Sequence, residues 1–270
     1  MITIQLYKYK DVDITIQLPT EWNECALHEL KLITAAIFLK KYSDFELLIE
    51  FIRYRIGVAR PTETVASIQR IILLLNIEDL SLTYTDLLSF IHDDIRLTNQ
   101  PIKKLAQLVG PDSDFTNLTC AEFEDAEFHL NEWIELMKTE EGKALEINLP
   151  KVIEIIAILW RPISVPYNEY KPSEDIKAQL ASLNPSLLYV ALLWFMGCKA
   201  ELPESYPFVY GRDEKVITIG TPDNDTLAFT KLIHHGAGTK NGTRADIRKM
   251  LIREFLFDLN LTAENQPKEQ

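Results

Sequence analysis

Cysteine is scarce: three residues in 270, Cys25, Cys120 and Cys198, an odd number with no two close in sequence. That excludes a disulfide framework. Cys25 and Cys198 fall in apolar helical patterns, where a free thiol behaves as a small hydrophobe, so a reducing compartment is expected. Positive charge is also short. Lys and Arg number 28 against 40 Asp and Glu, a formal net charge of −12. Such a field repels phosphates and anionic bilayers, so neither nucleic acid nor membrane is the expected partner. The longest apolar run, Leu187 to Cys198, falls short of the roughly 20 residues that span a bilayer and reads as a buried core helix. The opening residues, Met1 to Lys8, lack the basic-then-apolar layout of a signal peptide, and a cytoplasmic location is expected. The four Asn-x-Ser/Thr triplets at Asn117, Asn224, Asn241 and Asn260 are then chance matches.

What the chain does have is a core. Hydrophobic residues make up 47% and charged residues 25%, enough for one large domain or two modest ones. The fold class read from periodicity is mainly α within α+β: a multi-helix, bundle-like core with an N-terminal β-hairpin. Ile2, Ile4 and Leu6 alternate with polar residues, as do Val12, Ile14, Ile16 and Leu18, with a turn at Tyr9-Lys10-Asp11 and Pro19 ending the second strand. Helical periodicity follows. One helix is predicted from Trp22 to Lys41. A second opens on the capping box Ser43-Asp44-Phe45-Glu46, buries Phe45, Leu48, Ile49, Ile52 and Ile56, and stops at Gly57. A third starts at Pro61.

Gly110-Pro111-Asp112-Ser113-Asp114 is the strongest boundary signal, dividing the chain into 1–110, a second helical region 111–260, and a disordered tail 261–270. Thr119-Cys120-Ala121-Glu122 is another capping box, opening a helix to Lys138 with Phe123, Ala126, Leu130, Trp133, Ile134 and Met137 on one side. Glu124, Glu127, Asn131, Glu135 and Lys138 share the opposite, solvated side. A further helix runs from Leu149 to Trp160, stopped by Arg161-Pro162. Asn184-Pro185 is an N-cap followed by proline at the first helical position of a helix ending near Gly197. A small second hairpin fits 206–220 around Gly211, and a last helix spans Thr243 to Leu259. Trp22, Trp133, Trp160 and Trp194 read as core anchors.

No arrangement reaches the strength of a catalytic or metal signature, so no catalytic, cofactor-binding or metal-binding residues and no cofactor are expected. His234-His235 with Gly236, Gly238 and Gly242 matches neither phosphate-cradling loop pattern and fits a connector into a helix. Cys25 and His28 lie one turn apart, without a second pair to complete a tetrahedral site. His92-Asp93-Asp94 points its side chains in different directions on a helix. The acidic run Glu122, Glu124, Asp125, Glu127 with His129 lacks the Glu-x-x-His spacing of a di-iron bundle and reads as a solvated or partner-facing face. The basic residues Lys231, Lys240, Arg244, Arg248, Lys249 and Arg253 read as a solvated face balanced by Asp246, Glu254 and Asp258. There is no Gly-x-Ser-x-Gly elbow.

Two stretches carry a resemblance. Leu18-Pro19-Thr20-Glu21-Trp22-Asn23-Glu24 ahead of a Leu-rich helix, and Ile156-Ala157-Ile158-Leu159-Trp160-Arg161-Pro162 closing another, resemble corresponding steps in bacteriophage tail assembly chaperones and related phage proteins. The resemblance implies a non-enzymatic protein-binding role in tail assembly. Its partner would be an elongated, helical tail protein such as the tape measure, whose apolar stripes a helical surface masks. A structural virion or tail-tip component, and an enzyme with a glycine-loop site near His234 and His235, are the alternatives.

Overall fold

The computed structural model describes residues 1–9, 12–59, 61, 64–73, 88–163, 165, 170, 172–210, 228–238 and 240–265. It is mainly helical, as expected, and forms two compact units, Met1–Ile95 and Arg96–Gln270. The expected division at Gly110–Asp114 therefore falls inside the second unit. The turn residues there serve packing: Gly110 leaves room for the indole of Trp160, and its N–H donates to the Lys103 carbonyl at 3.0 Å.

In the first unit, strands β1 (Ile2–Tyr9) and β2 (Val12–Leu18) pair antiparallel, Ile4 opposite Ile16, with a register shift between Leu6 and Lys8. The expected turn residues Lys10 and Asp11 lie outside the described residues. Ile16 and Leu18 are buried, and β2 packs against helix α2 (Asp44–Ala59), which supplies the cover a lone hairpin needs. Trp22 is buried edge-on against Phe90, its indole N–H donating to the Asp94 carbonyl at 3.2 Å.

The predicted helix 22–41 is split. A single 3-10 turn, Trp22–Glu24, gives way at Cys25 and Ala26 to extended backbone before helix α1 (Leu27–Ile37) begins. Glu29 explains the restart: its carboxylate accepts the Ala26 N–H at 2.8 Å and Arg55 of α2 at 2.5 and 2.6 Å, buried completely.

Helix α2 opens on the expected box, the Ser43 N–H donating to Glu46 at 2.7 Å. Its buried residues are Leu47, Leu48, Phe51, Ile52 and Ile56, so the face is rotated from the predicted stripe and leaves Phe45 exposed. Gly57 does not end it; an internal glycine costs a helix only about 1 kcal/mol against alanine, less than the burial of neighbouring Ile56 returns. Helix α3 (Val65–Leu73) starts after Thr64, whose hydroxyl accepts the Ser67 N–H at 3.2 Å, rather than at Pro61.

The second unit is built around two helices joined by a short connection, α4 (Cys120–Met137) and α5 (Leu145–Leu159), with α6 (Glu174–Ala181) and α7 (Pro185–Ser205). A two-stranded ribbon, β3 (Lys104–Leu105) and β4 (Leu108–Val109), precedes them. Helix α7 carries the predicted Asn184 cap and Pro185, but continues through Gly197 to Ser205. By length and composition it could cross a membrane; 78% of its most apolar window is buried inside the protein. Gly197 is a packing glycine: an added Cβ would lie 2.5 Å from the Leu97 carbonyl oxygen. Rings run in sequence through the core, Trp160 to Trp194 to Phe115 to Phe123 to Phe229 to Phe255, with centroids 4.6–6.2 Å apart. All four tryptophans are core residues, as expected.

Among the described residues, four C-terminal helices complete the unit: α8 (Pro207–Tyr210), α9 (Ala228–Gly236), α10 (Arg244–Ile247) and α11 (Ile252–Glu264). The hairpin expected over 206–220 is helical at 207–210, and 211–220 lie outside the described residues. The tail expected from residue 261 is still helix to Glu264, closed by Asn265, whose amide donates to the Leu261 carbonyl at 2.7 Å.

Candidate functional site

Helix α4 overturns one expectation directly. Its capping box is present, the Thr119 N–H donating to Glu122 at 2.8 Å and the Glu122 N–H to the Thr119 hydroxyl at 3.3 Å. But three of the carboxylates placed on a solvated face are buried and paired, while Glu135 is exposed as expected. Glu122 binds Arg161 at 2.7 Å, Glu124 binds Arg244 at 2.9 Å and Arg248, and Glu127 binds Lys199 at 3.1 Å. Glu124 also accepts from the Thr230 hydroxyl and Glu127 from the Phe229 N–H, while Asn131 is buried beside them. Helix α4 meets α5, α9 and α11, while Phe128 and Glu135 stay exposed.

The basic residues of the C-terminal segment are the matching half of this arrangement. Arg244 and Arg248 are spent on Glu124 and Asp125, Lys240 lies 3.3 Å from Asp258, and Arg253 donates to the Asp114 carbonyl at 2.6 Å while lying over the Tyr206 ring. The free N–H groups at the start of α4 are taken too: Cys120 donates to Met250 O at 2.9 Å and Ala121 to Arg248 O at 3.0 Å. A helix N-terminus closed by backbone carbonyls is not left for an anion.

Beside this network lies a cleft of about 650 Å³ lined by residues of α4, α5 and α10 and by Tyr170, Pro172 and Lys177. At its edge His129, Glu132 and Glu154 bring three ligand-type atoms within 4.8 Å of one another. These are donors a divalent cation takes. Lys151 already sits among them, its ammonium 3.1 Å from Glu132 and 2.9 Å from Glu154, with His129 Nδ1 3.0 Å from Glu132. The hydrogen bond to Glu154, with that to Glu132, raises the Lys151 pKa against the opposing effect of burial. Burial alone would raise Glu132, yet its hydrogen bonds to Lys151 and His129 hold it below its ordinary value. The cluster thus carries a built-in cation that offsets one of its two carboxylate charges. Sequence reading singled out His129 but missed its partners; the i, i+3 spacing of His129 and Glu132 was the available signal. The Tyr170 hydroxyl, also at this cleft, is buried without a hydrogen-bond partner among the described residues, and burial pushes its pKa up.

The other sequence candidates do not converge. His234 and His235 are exposed at the last turn of α9, His234 3.3 Å from Arg244. Gly238 and Gly242, both at positive φ, close a turn in which the Gly238 N–H donates to the Gly242 carbonyl at 2.8 Å. Gly236 packs beneath Phe255. His28 stacks on Tyr54, centroids 4.6 Å apart, and His92 is exposed 3.9 Å from Asp44. Burial raises the thiol pKa of all three cysteines, that of Cys120 to about 12, so all remain protonated at neutral pH.

Helices α8 and α11 carry exposed apolar side chains close together. On α11, Ile252, Phe255 and Leu256 are buried while Phe257 and Leu261, one turn apart, are 60% and 42% exposed. Phe208 of α8, 45% exposed, adjoins them: its N–H donates to Asn260 at 3.0 Å. Comparison with protein-family models, curated proteins and solved structures finds no match for this chain.

Proposed function

We propose that this chain is a non-enzymatic, cytoplasmic protein-binding protein that assists assembly by covering an apolar helical surface of another protein. Bacteriophage tail assembly is the setting that the two resembling stretches suggest, with an elongated helical tail protein as client. The observation that carries the binding role is the stripe of Phe208, Phe257 and Leu261. Phe257 and Leu261 lie one turn apart on α11, on the side away from the buried Ile252, Phe255 and Leu256, with exposed Phe208 on the adjoining α8, and large exposed clusters of this kind mark protein contacts. The carboxylates beside the cleft are engaged by cations of the protein itself, Glu132 and Glu154 by Lys151 and Asp125 by Arg248.

The test is co-expression with a bacteriophage tape-measure protein, read as soluble client and as a complex on size exclusion. The wild-type chain keeps the client soluble; Phe257→Ser with Leu261→Ser abolishes the complex while leaving the circular dichroism spectrum unchanged. Equal complex formation by the folded double variant refutes the role assigned to the stripe. Finding the protein in purified particles assigns it to the virion instead.

A further inference from the structure

Resting on the protein-binding role proposed above, we infer that the α11 stripe takes a partner helix whose own apolar stripe is bracketed by basic residues, and not a second copy of this chain. The inference comes from what frames the two apolar residues. Glu254, Phe257, Leu261 and Glu264 follow one another at spacings of three, four and three, which places all four on one face of α11. All four are exposed. The face therefore reads carboxylate, aromatic, aliphatic, carboxylate over about three turns.

The nearby charges do not cancel the two carboxylates. Arg253 is committed to the Asp114 carbonyl and the Tyr206 ring, and Lys240 pairs with Asp258, at 3.3 Å. No ion pair joins Glu254 or Glu264 to any described residue. The face is thus apolar at its centre and negative at both ends, on a chain already at −12.

A second copy fits this pattern badly. Antiparallel pairing of two α11 helices sets Glu254 against Glu264, and parallel pairing sets each glutamate against itself. Both registers bring like charges together while the apolar residues meet. A helix with Lys or Arg one turn outside two apolar residues meets the same centre with opposite charges at both ends, which gives affinity and register together. An anionic bilayer is repelled for the reason that a second copy is.

The probes are two designed helical peptides differing only in the brackets, Lys-x-x-Leu-x-x-x-Leu-x-x-Lys and Glu-x-x-Leu-x-x-x-Leu-x-x-Glu, titrated against the full chain by fluorescence anisotropy. Two attractive pairs replacing two repulsive ones predict about tenfold tighter binding of the Lys peptide at low salt, narrowing as ionic strength rises. In Glu254→Lys with Glu264→Lys the preference reverses, which a merely structural role for these glutamates does not produce. Equal affinity for both peptides overturns the inference about charge and leaves the binding role standing. Failure of both peptides to bind overturns the two together. Sedimentation of the wild-type chain as a dimer that Phe257→Ser dissociates assigns the stripe to a second copy and also overturns the inference.

Discussion

Replacing Glu29 by Gln removes one charge from a pair that the fold has taken out of water. The Glu29 side chain is fully buried and that of Arg55 is 15% exposed, and the two share parallel hydrogen bonds of 2.5 and 2.6 Å. A bidentate guanidinium–carboxylate pair is among the stronger polar contacts in proteins, and removing one partner strands the other. Such breaks cost roughly 3–5 kcal/mol when complete. Arg55 keeps some access to water and a 3.4 Å contact with the Glu24 carbonyl, so the lower end, about 3 kcal/mol, applies. The pair ties α1 to α2, both in the first unit, so the loss is local. Amide hydrogen exchange followed by mass spectrometry reads it directly: peptides covering α1 and α2 exchange about a hundredfold faster, whereas those from α4, α5 and α7 keep the wild-type rate. Glu29→Met with Arg55→Met, which leaves no stranded charge, recovers most of the protection. Exchange in Glu29→Gln within threefold of wild type, or a double variant as labile as the single one, refutes the assignment of this pair as the tie between the two helices.

Other outcomes follow from the same geometry. Gly197→Ala forces a methyl against the Leu97 backbone and lowers the stability of the second unit by about 2 kcal/mol, seen as a reduced urea midpoint. Ala106→Gly relieves an alanine held at φ 52° in the β3–β4 turn and gains about 0.5–1 kcal/mol by the same assay. The Ser43 N–H, then the Ser43 hydroxyl, hold the Glu46 pKa below its ordinary value. The stabilisation it adds is therefore complete above the unfolded-state value of about 4.3 and is lost as pH falls through the lower folded value; Glu46→Gln flattens that acid limb in pH-dependent exchange at the start of α2. Iodoacetamide leaves the buried Cys120 and Cys198 unmodified in the native protein at neutral pH and modifies both in urea; rapid native labelling of either refutes its burial.

Much that was legible in the sequence is local. The boxes at Ser43–Glu46 and Thr119–Glu122 and the Asn184-Pro185 start involve residues two to three apart, whose hydrogen bonds form wherever the helix goes. The alternation of the N-terminal hairpin and the burial of the four tryptophans were equally readable, because period and side-chain size fix them before any partner is chosen. Glycines were misread as ends of helices and a domain boundary. Gly197 and Gly110 are placed by neighbours from elsewhere in the chain, Leu97 and Trp160, and only contact shows that a missing Cβ serves closeness rather than a turn.

The acidic face of α4 marks the limit most clearly. A helical wheel assigns Glu124 and Glu127 to water because charge alone belongs there, and burial of a carboxylate is tolerable only when a cation is brought to it. Arg244 stands 120 residues beyond Glu124, and Lys199 stands 72 beyond Glu127, at separations where no spacing rule relates them. The sequence by itself determined that the chain is helical and where several of its helices begin. The tertiary structure alone decided which charges face inward and which apolar residues, Phe208, Phe257 and Leu261 among them, remain outside, because both depend on which distant surfaces meet.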